Sequence, residues 1–253
     1  MVQTRTRVLA SKTAAALDLP PVFRLVTLRE AGNAFAHAKS IAAKEGAGTL
    51  VWVRRFDLVE FALVIEPDEP LKAARRTIYA GLAALADALA VHAPPERAIA
   101  FDWPATIFVQ GAVVGGGELG WPKGTAEDKQ PDWLVFGAMI RTNALAPLED
   151  GFNPGVTNLE EEGFDDLGAG RLVESFARHF MSMVNRWQDG GFVEVAKSYL
   201  ERLPAEEGFE RTIDGAGDLL IRRKGKLEVE KRALLPAIEH ALWRNPDSGE
   251  LLT

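Results

Sequence analysis

The 253-residue sequence predicts an α+β fold, in which a mixed, largely antiparallel sheet is packed with helices and followed by a small β-rich C-terminal unit. Three observations predict it. Two apolar runs of strand length, TLVWVRR (49–55) and VEFALVIEP (59–67), are separated by only a few residues around Phe56-Asp57, which suggests an antiparallel hairpin. Between and after such runs lie stripes of helical period, the longest carrying Leu71, Ala74, Ile78, Leu82, Leu85 and Leu89 on one face. From about Phe209 the chain changes character, and IDGAGDLLIRRKGKLEVEK reads as strand, turn, strand.

Taken in order, VFRLVTL (22–28) has the composition of a strand. AGNAFAHAKSIAAKEG places Phe35, Ala38, Ile41 and Ala42 on one helical stripe that stops at Gly46. After the hairpin, a single helix is expected from about Leu71 to Val91, closed by Pro94-Pro95. Strands are expected near 98–103, 106–110, 112–119 and 133–140, with Gln110-Gly111 as a tight turn. Arg171 to Trp187 forms a helix through Leu172, Phe176, Phe180, Met183 and Trp187, and a further helix from Phe192 to Leu203 ends at Pro204. A short helix from Leu234 to Trp243 finishes the tail. The resulting division is a flexible arm at 1–20, a main domain at 21–204 and a small C-terminal domain at 205–253.

Composition removes several function classes. The formal charge of −7 and pI near 5.3 give no global attraction for nucleic acid or an anionic membrane surface. Cysteine is absent, which excludes disulfides, thiolate metal sites and a thioester-forming nucleophile. No apolar run approaches the ~20 residues of a membrane helix. The opening MVQTRTRVLASKTAAALDLPP, with Arg5, Arg7 and Lys12, lacks the long uncharged core of a signal peptide, so a cytoplasmic location is the simplest expectation. His37, His92, His179 and His240 are scattered without metal-ligand spacing, so no metal site is expected. Glu160-Glu161-Glu162 with Asp165-Asp166 reads as a solvated acidic run.

The most unusual stretch is FDWPATIFVQGAVVGGGELGWPKG (101–124), where three glycines interrupt a strand ahead of Glu118. Such glycines mark either a bulge or tight packing against a helix, or a bare backbone that lines a ligand site.

The order of these elements resembles the biotin and lipoate protein ligases, whose fold is related to the class II synthetases. The similarity is to a divergent branch that carries an extra C-terminal domain, and it runs from about residue 22 to the end. Trp103-Pro104-Ala105-Thr106-Ile107 is similar to the family's Trp-Pro-Asn-Asp-Ile strand. Gly111-Ala112-Val113-Val114-Gly115-Gly116-Gly117 follows as its Gly-x-Lys-Val-x-Gly-Ile-Leu strand does. LVFGAMIRTN (134–143) resembles the Gly-x-Gly-x-Asn-x-Asn strand, and TNLEEEGF, LVESFARHFMSMVNRW and GGFVEVAKSYL follow in the expected order.

The resemblance implies ATP-driven activation of a biotin, lipoate or fatty-acid type carboxylate and its transfer to a lysine of a biotinyl or lipoyl carrier domain. It implies that Gly115, Gly116 and Gly117, with Trp103 and Pro104, wall a ligand cavity. It also places Asn33 near the acyl group, where a helix cap is the alternative reading, and turns Arg141 toward the ligand. The departures are equally specific. Val113 stands where the family has its phosphate-binding lysine, and only Arg54, Arg55, Phe56 and Asp57 remain where a nucleotide-closing loop belongs. Arg54, Arg55, Lys123 and Arg141 are therefore the cations left to meet an anionic ligand, of which only one of the adjacent arginines can face inward. The alternative to the ligase is a catalytically degenerate binding module for a small acyl ligand or a protein partner.

Overall fold

The computed structural model describes residues 17–143, 155–164, 167–245, 249 and 251. Arg5, Arg7, Lys12, Asp165 and Asp166 lie outside the described residues. The elements run β1 (Arg24–Leu28), α1 (Ala34–Glu45), β2 (Thr49–Val53), β3 (Leu58–Ile65), α2 (Leu71–Ala74), α3 (Thr77–Ala90), β4 (Ile99–Asp102), β5 (Thr106–Val109), β6 (Ala112–Gly120) and β7 (Leu134–Arg141). They continue as α4 (Ala169–Gly190), α5 (Phe192–Leu200), β8 (Phe209–Ile213), β9 (Leu219–Arg223), β10 (Val229–Arg232) and α6 (Leu234–Glu239).

Seven strands form one sheet in the order β1-β2-β3-β7-β6-β5-β4, and β10-β9-β8 form a second, smaller one. Among the described strands of the large sheet, β1 and β2 are the one parallel pair, because α1 carries the chain back between them. The predicted hairpin is present, with Val53 opposite Glu60 and Leu50 opposite Leu63. Gln110 and Gly111 both take positive φ, 50° and 85°, which suits the two-residue turn between β5 and β6.

Alternation along the strands divides the sheet into two faces. Leu50, Phe61, Leu63, Phe136, Ala138, Ile107 and Phe101 point to an inner face packed against α3, α4 and α5. Helix α3 comes so close that a Cβ on Gly81 would lie 2.3 Å from the Phe136 ring. Val51, Val53, Ala62, Val64 and Val135 point to the outer face, where Ala34, Ala38 and Ala42 of α1 cover them.

The single helix expected over 71–91 is instead two, α2 and α3. Around Arg75-Arg76 the backbone tightens to bonds three residues apart, Arg76 N–H to the Ala73 carbonyl at 3.0 Å and Tyr79 N–H to the Arg76 carbonyl at 3.0 Å. The Arg76 Nε–H also donates to the Ala73 carbonyl, while Arg75 reaches out to Glu127. At the other end of the domain, residues 17–20 do not behave as a free arm. The Asp18 N–H donates to Glu174 at 2.8 Å, and Arg178 pairs with the Asp18 carboxylate at 2.8 Å, which pins Leu17 beside Gly170 of α4.

Candidate functional site

The three glycines of β6 have three separate causes. Gly115 lies at a bulge, where Ile107 pairs with Gly115 but Phe108 already pairs with Val113. Its φ is +157°, and a Cβ there would sit 1.9 Å from the Met139 carbonyl oxygen of β7. Gly117 opens to the inner face, where a side chain would meet Leu82 at 3.0 Å and Phe136 at 3.1 Å. Neither is wall material for an outer cavity, and for both the packing alternative accounts for the missing side chain. Gly116 alone of the three opens to the outer face, in one row with Met139 and Glu60.

That outer face carries a longer bare track than the sequence suggested. A Cβ on Gly137 or Gly120 would come within 2.7 and 2.9 Å of the Phe35 ring of α1. Glu118 lies between Gly120 and Gly116 along β6 and directly opposite Gly137. The floor is thus backbone at Gly116, Gly120 and Gly137, roofed at one end by Phe35. At the Gly116 end the roof is Trp243, from the segment after α6, whose Cδ1 would lie 2.4 Å from a Cβ on Gly116; that Cβ would also lie 2.5 Å from the Ala105 carbonyl oxygen. The indole is 1% exposed, packs with Leu58 and Met139, and donates through Nε1 to the Gly117 carbonyl at 3.2 Å. Arg244 ion-pairs with Glu118 and lies over the Trp243 ring at 5.5 Å.

Two carboxylates are buried on this face. Glu118 is 4% exposed, and burial raises its pKa although the Arg244 charge and hydrogen bond oppose the shift. Glu60 is 3% exposed and accepts from the Ala34 N–H at 2.7 Å, so it meets the positive end of α1; burial raises its pKa too. Sequence reading passed over Glu60, Trp243 and Arg244 as site residues. A charge within the apolar run LVEFALVI was the available signal for Glu60, and nothing local marks Trp243.

The remaining candidates scatter. Asn33 is the N-cap of α1, its Oδ1 accepting from the Ala36 N–H at 2.7 Å. Arg55 forks onto Asp57, Nε to Oδ1 at 3.1 Å and Nη2 to Oδ2 at 2.7 Å. This hydrogen-bonded pair holds the Asp57 carboxyl below its ordinary range and raises the Arg55 pKa. Arg54 is exposed and lies over Trp52 at 5.8 Å. Arg141 ends β7 on the same face as Met139 and Gly137; it is partly buried, which lowers its pKa against the opposing pull of Glu161. Lys123 is exposed beyond the last residue of β6, at the opposite end of the paired β6 and β7 strands from Arg141. Trp103 and Pro104 belong to the inner packing. The Trp103 Nε1–H donates to the Tyr79 hydroxyl at 3.0 Å, that hydroxyl donates to the Gly217 carbonyl at 2.6 Å, and Tyr199 donates to the Pro104 carbonyl at 2.8 Å. Asn33, Arg55, Arg141 and Gly116 therefore gather at one end of the outer face, whereas Trp103, Pro104, Gly117 and Lys123 do not.

A mixed sheet in this strand order, with a glycine-floored track under the first helix, defines the class of protein as ligase-like. The chain belongs to the biotin/lipoate A/B protein ligase family, whose sequence model matches residues 19–201. It is similar to a biotin protein ligase-like protein of unknown function from Silicibacter sp. TM1040, with 25% identity over 87% of this chain and 98% of that one and a TM-score of 0.74. The fold is shared with the biotin protein ligase of Aquifex aeolicus in its apo form, at 15% identity, 83% and 95% coverage and a TM-score of 0.65. It is also shared with the Leishmania major biotin protein ligase solved with biotinyl-5-AMP, at 16% identity, 85% and 99% coverage and a TM-score of 0.52. Among curated proteins no sequence matches. No described helix is long and apolar enough to cross a membrane.

Proposed function

We propose that this chain binds a small carboxylic acid with an acyl chain or ring on the outer face of its main domain, and that it does not activate the acid with ATP. The body of the ligand lies along the bare backbone at Gly116. Its carboxylate points toward Arg141, away from the Glu118 carboxylate. The main domain is taken as residues 21–204 and the appended one as 205–253.

The observation that carries this reading is the connection between β2 and β3. It has only four residues, Arg54 to Asp57; of its two cations, Arg55 is spent on a bidentate pair with Asp57 and Arg54 is exposed over the Trp52 ring. Stabilising the charge that develops at an α-phosphate requires cations aimed at that point. Val113, where the family resemblance calls for lysine, supplies none. Biotin and lipoate are the ligands that family membership suggests. The ligase reading, with ATP as co-substrate and a biotinyl or lipoyl carrier lysine as acceptor, is the second one.

Pyrophosphate exchange measured with biotin, lipoate and octanoate separates the two. The expected outcome is no exchange with any of them, together with a rise in melting temperature at millimolar concentrations of one. Exchange above the protein-free rate restores the ligase.

A further inference from the structure

We infer that the segment Ala241–Arg244 is a removable plug, which occupies the ligand track at Gly116 and must leave before anything else binds there. The inference deepens the ligand-binding reading above and rests on it for the identity of the competitor.

Several observations separate Trp243 from an ordinary core residue. It belongs to a small cluster with Leu58 and Met139, apart from the main core that joins α3, α4 and the inner face. It arrives from beyond residue 201, where the match to the ligase family ends. The surface it covers contains a buried carboxylate, Glu118, which an apolar core excludes unless a partner is supplied. The segment supplies that partner itself through Arg244.

The fit is ligand-like in chemistry. A flat ring lies against bare backbone, its N–H donates to a main-chain carbonyl, and a second donor meets the carboxylate beside it. Both groups satisfied at that end are acceptors. Whatever replaces the plug has to bring N–H donors to them or leave a buried acceptor unpaired. Helix α6 keeps the segment nearby, because Leu234 and Ile238 are buried in the main core while His240 and Leu242 are exposed. Release would therefore be a local event that leaves the anchor in place, and tethering keeps the effective concentration of the plug high.

The test uses the full chain carrying Trp243→Ala with Arg244→Ala, and a labelled synthetic peptide of residues 238–245, IEHALWRN. The variant is expected to remain folded and to bind the peptide at least tenfold more tightly than the wild-type chain, whose own segment competes. A peptide with alanine in place of the tryptophan should not bind, and one with alanine in place of the arginine, which loses the Glu118 pair, should bind at least tenfold more weakly. A variant that fails to fold makes Trp243 core and overturns the inference, as does equal binding to both chains or binding of the peptide that lacks the tryptophan. Competition then addresses the ligand separately. Displacement of the peptide by biotin, whose ring carries N–H donors, ahead of octanoate supports both readings. Peptide binding that no carboxylate displaces leaves the plug standing and removes the proposed ligand.

Discussion

The two faces of the large sheet use the same strands and solve different problems. The inner face is dominated by apolar side chains, with Phe61, Phe136, Phe176 and Phe180 in sequential ring contact and the rings of Phe136 and Phe176 stacked at 5.7 Å. The outer face is apolar under α1 and again around Leu58, Met139 and Trp243, and between them it buries Glu60 and Glu118 beside a floor of glycine. A surface optimised for stability alone has no use for two buried carboxylates, since each loses hydration that its partners only partly return. The comparison teaches that the inner face holds the fold together, whereas the outer face buries charge that packing alone does not call for.

The largest effect that sharpens this contrast is at Phe136. Its ring is fully buried between Phe61, Phe176 and the bare flank of Gly81. Phe136→Ala should cost about 3–5 kcal/mol in urea denaturation, because the rigid helices around it cannot collapse into the space. A cost below about 1 kcal/mol would mean that the inner face is loosely packed and would break the distinction between the faces.

How much of this was legible in the letters follows from how local each signal is. The strands, the β2–β3 hairpin and the Gln110-Gly111 turn were readable because pattern and turn chemistry act within a few residues. The break between α2 and α3 was not, since the apolar stripe runs on unbroken through Arg75-Arg76 while the backbone there tightens and Arg75 pairs with Glu127, 52 positions away. The glycines of β6 were visible as an anomaly, but which way each one opens depends on a bulge set by pairing with β5. Trp103 read as a neighbour of the glycine strand, yet its partners are Tyr79 and, through it, Gly217. The roof over Gly116 comes from a residue 127 positions later, and no periodicity announces such a contact.

A smaller effect is expected at Asn33, where the two roles weighed for the residue make different demands. Its side chain satisfies the Ala36 N–H at the start of α1. Asn33→Ala should lower stability by about 1 kcal/mol, measured by urea denaturation, and Asn33→Asp should recover most of it. Stability unchanged in Asn33→Ala, with carboxylate binding weakened, would assign the residue to the ligand rather than to the helix.

The smallest effect is the most specific to the outer face, because it appears only as a dependence on pH. Burial holds the Glu60 pKa above its ordinary value of 4.5, against the opposing influences of the Ala34 N–H and Arg55. Between 4.5 and the raised value the folded chain keeps a proton that the unfolded chain has lost. The stabilisation tied to that proton is complete below 4.5 and disappears as pH rises through the folded pKa. Glutamine has no proton to lose, and its amide oxygen can still accept from Ala34. Glu60→Gln should therefore match the wild-type chain most closely below pH 4.5 and exceed it in stability by a growing margin as pH rises to neutrality. Glu118 titrates with the same sign, and because the Glu60 charge helps to raise its pKa, removing that charge widens the margin in the same direction. Urea midpoints collected from pH 4 to pH 8 read the margin directly. A margin that shrinks as pH rises would mean that the Glu60 carboxylate is stabilised in the fold, and the outer face would then be no costlier to charge than water.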